Sequence, residues 1–330
     1  MDDLPRYNLI GSSATFQQTC RQIEKIASVD ATILIAGETG TGKELAARAI
    51  HYQSGRSCKP FIPINCGALP EALIESELFG HDRGAFTDAK LASPGLVSEA
   101  DGGSMFLDEV DALSLKAQAA ILRFLQDKTY RRVGSGIQRY ADVRFIVASN
   151  ANLEQLVETR QFRRDLLYRI NVLMLRMPPL RDREGDALEL ANNFLIRFSH
   201  QYRLPAKTLH RSAREFLDNY SWPGNIRELE NVIHREFLMS EGTEIHLDQS
   251  IKQTGNEVVD VSFKTAKASA ISTFEKNYVH DLLDQTDGNL SRAARIAGQD
   301  RSAFGKLARK YGIHSTGVEH IRGPEEINTK

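Results

Sequence analysis

Residues 31–50 read Ala31-Thr32-Ile33-Leu34-Ile35-Ala36-Gly37-Glu38-Thr39-Gly40-Thr41-Gly42-Lys43-Glu44-Leu45-Ala46-Ala47-Arg48-Ala49-Ile50, an apolar run, a glycine-rich turn and a helical pattern in that order. Strand, loop and helix in this succession make a cradle for a polyphosphate. The turn folds its backbone N–H groups around the anion, the helix points its positive end at it, and Lys43 adds a mobile charge to the outer phosphates. Gly37, Glu38, Thr39, Gly40, Thr41, Gly42, Lys43 and Glu44 are therefore candidate ATP-binding residues. A bare GxxxxGK match is common in a long chain, but one in this context is not.

The residue after Lys43 is Glu44, where the general pattern has a Ser or Thr hydroxyl for the magnesium ion. Another carboxylate must then hold the metal, with water. Gly102-Gly103-Ser104-Met105-Phe106-Leu107-Asp108-Glu109 supplies an apolar strand ending in two acids. Asp108 is the candidate for orienting hydrated Mg2+, and Glu109 for polarising the water that attacks the γ-phosphate.

At 330 residues, 41% hydrophobic and 26% charged, the chain fits a globular protein of more than one domain and excludes disordered and fibrous classes. No stretch approaches the roughly 18 apolar residues of a membrane span, and Met1-Asp2-Asp3-Leu4-Pro5 lacks a signal-peptide core. No membrane partner and a cytoplasmic location are expected. Cys20, Cys58 and Cys66 have no metal-ligand spacing and read as thiols in a reducing compartment.

From about Tyr7 to Met177, apolar runs at Ile33–Ala36, Phe61–Ile64, Met105–Leu107, Val143–Ala148 and Val172–Leu175 alternate with amphipathic helical stretches. This predicts an α/β fold with a parallel sheet and helices on both faces, over residues 1–177. After Pro178-Pro179 the pattern is helical, at 186–202, 211–220 and 226–240, and predicts a helical lid over 178–245. Residues 246–262 read as a linker, 263–313 as a small all-α domain and 314–330 as a mobile tail.

Between Ser291 and Lys310 six basic residues face one acid, a local balance of +5. Asn289 to Gly298 reads as a short helix, and Asp300-Arg301-Ser302 caps a second one running to Lys310. Ala303, Phe304, Leu307, Ala308 and Tyr311 form its apolar back. Two helices around a tight turn, the second with a basic front, predict a helix-turn-helix that binds double-stranded DNA through Arg301, Ser302, Lys306, Arg309 and Lys310. The stripe Ile271, Phe274, Tyr278, Val279, Leu282 before it serves as core and dimer contact together.

Between the two nucleotide motifs stands Glu77-Leu78-Phe79-Gly80-His81-Asp82-Arg83-Gly84-Ala85-Phe86-Thr87-Asp88-Ala89. With it the chain resembles the bacterial enhancer-binding proteins, the AAA+ activators of sigma-54 RNA polymerase, from roughly Leu9 to Ile313. The motifs GETGTGKE, ELFGHDRGAFTDA, GGSMFLDEV, FRRDLLYRINV, PPLRDREGD and WPGNIRELENV occur in that family's order and precede a Fis-like helix-turn-helix. The resemblance implies that Asn65 is a switch partner holding Glu109, Asn150 the sensor beside the γ-phosphate, Arg163 and Arg169 arginine fingers, and Arg227 the lid sensor. It further implies a ring, hexameric in action and dimeric at rest, that uses ATP and Mg2+ to remodel the closed sigma-54 RNA polymerase holoenzyme from upstream enhancer DNA. A finger from a neighbouring subunit would make hydrolysis depend on ring assembly.

Gly84, Ala85, Phe86, Thr87, Asp88 and Ala89 correspond to the family's sigma-contact loop, Gly-Ala-Phe-Thr-Gly-Ala, and depart from it at Asp88. Loss of glycine removes easy access to positive φ and adds negative charge to the loop. The alternative reading is a DNA-binding regulator of the same fold that does not engage sigma-54. About eight residues precede Leu9, so no receiver or ligand-sensing module is expected there. Control would come from a regulatory protein in trans, from expression level, or from an N-terminal region missing from this sequence.

Overall fold

The computed structural model describes residues 8–247 except 72, 87, 88 and 90, together with 275, 278–279, 282–283, 286 and 289–310. The chain divides into two compact units, 1–252 and 253–330.

In the first unit the elements run α1 (Ala14–Ala27), β1 (Ile33–Ala36), α2 (Lys43–Tyr52), β2 (Phe61–Asn65), α3 (Ile74–Phe79), α4 (Leu96–Glu99), β3 (Ser104–Asp108), α5 (Leu115–Asp127), β4 (Thr129–Arg131), β5 (Gln138–Tyr140), β6 (Arg144–Ser149), α6 (Leu153–Glu158), α7 (Arg164–Ile170) and β7 (Leu173–Arg176). Strands β2-β3-β6-β1-β7 form one sheet, parallel at every pairing. Alternation of side chains along each strand loads both faces. Ile33, Ile35, Phe106, Ile146 and Ala148 pack with α1 and α2. Leu34, Met105, Leu107, Phe145 and Val147 pack on the other face with α3, α5 and α7. That two-sided burial is why the strands read as continuous apolar runs. All five strands run parallel, so their carboxyl ends gather along one edge, where an open α/β sheet places its ligand crevice.

The antiparallel pair β4–β5 was not foreseen, because three-residue strands rich in Arg and Gln carry no apolar alternation. The lid consists of α8 (Asp186–Tyr202), β8 (Thr208–Leu209), α9 (Arg211–Asn219), α10 (Asn225–Met239) and β9 (Glu244–Ile245). Leu190, Phe194, Phe198, Leu217, Trp222, Leu229, Ile233 and Phe237 form its own core. The lid is fastened to the α/β part by a buried pair. Arg183 and Asp186 are 2% and 0% exposed, 2.7 Å apart. Asp186 also accepts from the Ser12 and Ser13 amides at 2.8 Å, while Arg183 donates to Ile10 O and lies 3.7 Å from the Phe16 ring centre.

In the second unit α11 (Leu290–Ile296) and α12 (Arg301–Lys310) pack through Leu290, Ala293, Ala294, Phe304 and Ala308, with Val279, Leu282 and Leu283. Asn289 caps α11 at the Ser291 and Arg292 amides. Ala303, expected on the buried stripe, is exposed, since the packed face is set by Phe304 and Ala308. Gly305, which costs up to about 1 kcal/mol mid-helix, sits where α11 approaches closely: a Cβ there would lie 3.2 Å from Leu290 Cδ2. Ile271, Phe274, Tyr311, most of the linker and the tail lie outside the described residues.

Candidate active site

The phosphate loop leaves β1 at Ala36 and turns on two glycines of positive φ, Gly40 at +79° and Gly42 at +91°. Thr41 Oγ1 donates to Glu38 O at 2.8 Å, folding the loop on itself. Lys43 opens α2, 9% exposed, and its ammonium donates to Gly37 O and Glu38 O at 2.9 and 3.1 Å. Burial pulls its pKa down, against the opposing pull of Asp108, Asp111 and Glu109. A desolvated cation at the start of α2, directly after a glycine-rich turn, favours an anion. Glu44 is exposed and committed to Arg48 one turn along α2, at 2.7 Å.

Asp108 ends β3 beside Asn65, its register partner at the end of β2. Burial raises the Asp108 carboxyl above its usual range, with Lys43 pulling the other way. Glu109 takes a left-handed conformation, φ +54°, and leads into a one-turn helix over Val110–Ala112. Asn65 and Glu109 meet across Gly67, where a Cβ would lie 2.6 Å from Glu109 Oε2 and 3.3 Å from Asn65 Oδ1. Asn65 Oδ1 accepts from the Gly67 and Ala68 amides at 2.8 and 3.1 Å. Asn150, just past β6, donates to Thr39 Oγ1 at 3.0 Å. Cys66, buried beneath the acids, has its thiol pushed up to about 12 by burial and their charge.

The lid closes over the loop from the other side. Ile226 N donates to Gly40 O at 3.0 Å, and a Cβ on Gly40 would strike Gly224 O at 2.4 Å. Arg227, exposed in the first turn of α10, acts electrostatically on both Lys43 and Asp108. Next to the loop a cavity of about 480 Å³ is lined by Leu9, Ile10, Leu45, Leu190 and Ile226 among others. Its mostly apolar wall has the size and character of a nucleobase pocket.

Arg163 is paired with Asp165 at 2.7 Å. Arg169 donates to Leu125 O at 2.9 and 3.2 Å. Among the described hydrogen bonds and ion pairs, neither joins its own chain's phosphate loop.

The loop carrying Phe86 is closed at its base by Gly84 N to Ala89 O at 2.9 Å. Phe86 is 37% exposed, its ring 4.9 Å from that of His81, and His81 Nδ1 lies 2.8 Å from Ser76 Oγ on α3. The end of the β4–β5 hairpin supports this loop: Asp82 N donates to Val133 O, and Val133 N to Gly80 O. Thr87 and Asp88 lie outside the described residues.

The sigma-54 interaction domain matches residues 9–176, and the AAA+ ATPase lid domain matches residues 181–259. The chain belongs to the sigma-54 interaction domain family. It is 41% identical over 318 residues to regulatory protein AtoC of Escherichia coli, covering 94% of this chain and 69% of that protein. Phenol regulator MopR of Acinetobacter guillouiae is 39% identical over 318 residues, covering 93% of this chain, which spans only 57% of MopR. Among solved structures, NtrX from Brucella abortus in complex with ATP has a TM-score of 0.70 and 31% identity, covering 92% of this chain and 69% of that one. The parallel α/β sheet with a helical lid read from sequence is the fold found.

Three features of this sigma-54 interaction domain protein escaped sequence reasoning. They are the cavity beside the phosphate loop, the bonds from Asn225 to that loop, and a hydrogen bond of 2.6 Å between Ser149 Oγ and Asp111 Oδ1. The third had a faint signal, a further acid two residues beyond Glu109. In the second unit Arg301, Ser302 and Lys306 are exposed on α12, Arg309 donates back to Gly305 O at 3.2 Å, and Lys310 pairs with Glu275 at 2.9 Å. None of the described helices is long and apolar enough to cross a membrane.

Proposed function

We propose that this protein is a sigma-54-dependent transcription activator that hydrolyses ATP in a ring and spends the energy on remodelling the closed polymerase complex. The observation that carries the reading is the convergence of Lys43, Asp108, Glu109 and Asn150 on one phosphate loop, inside a domain of this family. The base enters the apolar cavity, and Gly37 to Gly42 with Lys43 hold the phosphates. Among the described residues no three His, Cys, Asp or Glu side chains are arranged as a metal cage. Asp108, with water, would hold Mg2+, which would supply charge neutralisation at the outer phosphates.

Glu109 takes a proton from the attacking water, and Asn65 across Gly67 holds it back until the γ-phosphate is in place. Asn150 reports that phosphate to the loop, and Arg227 reports it to the lid. Arg163 and Arg169, engaged within their own chain, exchange those partners for the neighbour's γ-phosphate when the ring forms, so an isolated protomer turns over slowly. Phe86 leaves His81 and presses on the sigma factor, with Gly84, Ala85, Thr87, Asp88 and Ala89 shaping the tip. Residues 263–313 bind upstream DNA as a Fis-type helix-turn-helix, through Arg301, Ser302, Lys306, Arg309 and Lys310.

The test is capture of sigma-54 by the full chain with an ATP transition-state mimic, for wild type and Phe86→Ala. Capture by wild type and its loss in the variant are expected. Asp88 favours a second reading, a DNA-binding regulator that does not engage sigma-54. ATP turnover without any capture would select that reading.

A further inference from the structure

Ser149, the last residue of β6, stands at a junction. Its carbonyl accepts from Gly37 N of the phosphate loop at 3.3 Å, and its successor Asn150 reaches Thr39 of the same loop at 3.0 Å. The hydroxyl has one proton and two acceptors within reach, Asp111 Oδ1 at 2.6 Å and Ala151 O at 3.2 Å. The shorter, charge-assisted bond to the carboxylate takes the proton. A lone pair of Oγ is then left facing the Ala151 amide, which donates to it at 3.1 Å. Asn150 is thus pinned on both sides, through Ser149 and Ala151. Ser149 is 2% exposed, so water does not compete for this hydroxyl.

Asp111 lies in the one-turn helix that begins directly after Glu109, whose left-handed backbone sets the direction of that turn. The same carboxylate that orients the Ser149 hydroxyl is therefore two residues from the group proposed to activate water. We propose that Asp111 is a positioning residue for ATP hydrolysis. Through the Ser149 hydroxyl it holds the Asn150 turn at a fixed distance from the Glu109 turn, so that the γ-phosphate sensor and the water-activating acid move as one piece. Without the carboxylate, the Ser149 proton turns to Ala151 O, the Ala151 amide loses its acceptor geometry, and the two turns separate.

This rests on the hydrolytic reading above, and two measurements on the full chain keep the two apart. Amide hydrogen exchange over 149–152 in nucleotide-free protein rises about tenfold in Asp111→Ala and in Ser149→Ala. It stays near wild type in Asp111→Asn, which keeps an acceptor oxygen. Exchange unchanged in Asp111→Ala overturns the inference whether or not the protein hydrolyses ATP. In steady-state turnover, Asp111→Ala lowers kcat about tenfold or more and leaves the KM for ATP within about twofold. Asp111→Asn restores most of kcat, and the double variant with Ser149→Ala is no slower than the slower single variant. Additive losses, or a rise in KM with kcat unchanged, overturn it. Wild type without turnover but with the expected exchange pattern defeats the hydrolytic reading alone.

Discussion

Asn225 Nδ2 lies 3.1 Å from Glu38 Oε2 and 3.1 Å from Thr39 O, so the first residue of α10 is bonded directly to the phosphate loop. Its Oδ1 accepts from Leu180 N at 2.8 Å, which adds the entry to the lid to the same knot. Arg181 completes the arrangement with a two-pronged contact to Glu38, at 2.6 and 2.9 Å. A lid fastened in this way cannot shift without pulling on Glu38 and Thr39 of the glycine-rich loop.

Asn225 is fully buried and left-handed, φ +54°, a conformation Asn tolerates and Ala does not. Asn225→Gly loses the side-chain bonds alone. Asn225→Ala loses them and adds about 1–2 kcal/mol of backbone strain. Urea unfolding should rank the variants wild type, then glycine, then alanine. Alanine as stable as glycine would show that the backbone there relaxes freely.

The Glu38 carboxyl is held below its ordinary value of 4.5, first by the hydrogen bond from Arg181 and then by that from Asn225. A depressed carboxyl contributes stability above the unfolded value and loses it as pH falls through the folded one. The difference in melting temperature between wild type and Glu38→Gln should therefore be full at pH 7 and shrink as pH drops below about 4.5. A difference that grows with acid would contradict a stabilising role for the Glu38 contacts to Arg181 and Asn225.

Removing Asp186 strands the Arg183 charge in a site 2% exposed. Breaking a buried pair from one side costs about 3–5 kcal/mol. Asp186→Ala should lower unfolding stability by that order, with the N-terminal segment around Ile10 to Ser13 losing hydrogen-exchange protection first. A loss under about 1 kcal/mol would show that water reaches Arg183.

Glu109→Gln keeps the shape and hydrogen-bonding reach of the side chain but removes its basicity. Binding of a fluorescent ATP analogue should stay within about twofold of wild type while phosphate release falls by about 10²-fold or more. Undiminished release would take Glu109 out of its role.

Much of this was legible in the chain. The five strand runs stand out because both faces of the sheet are covered, which leaves each strand apolar throughout. The phosphate loop is legible because its three glycines and Lys43 fall within one uninterrupted stretch, Gly37 to Lys43. The β4–β5 hairpin was not, being too short and too polar to show a period. Gly305 has its reason in the close approach of Leu290, which helix propensity along the chain does not encode.

Local order in the polymer settled which elements form and where the glycine-rich loop falls, since a turn of glycines between strand and helix is a property of consecutive residues. Folding in three dimensions decided the rest. Asp111 meets Ser149 across 38 positions, Glu38 meets Arg181 across 143 and Asp186 meets Ser12 across 174. Contacts of that span come from strand order and lid docking, and charge or hydrogen-bonding capacity along the chain does not encode which distant partner will satisfy it.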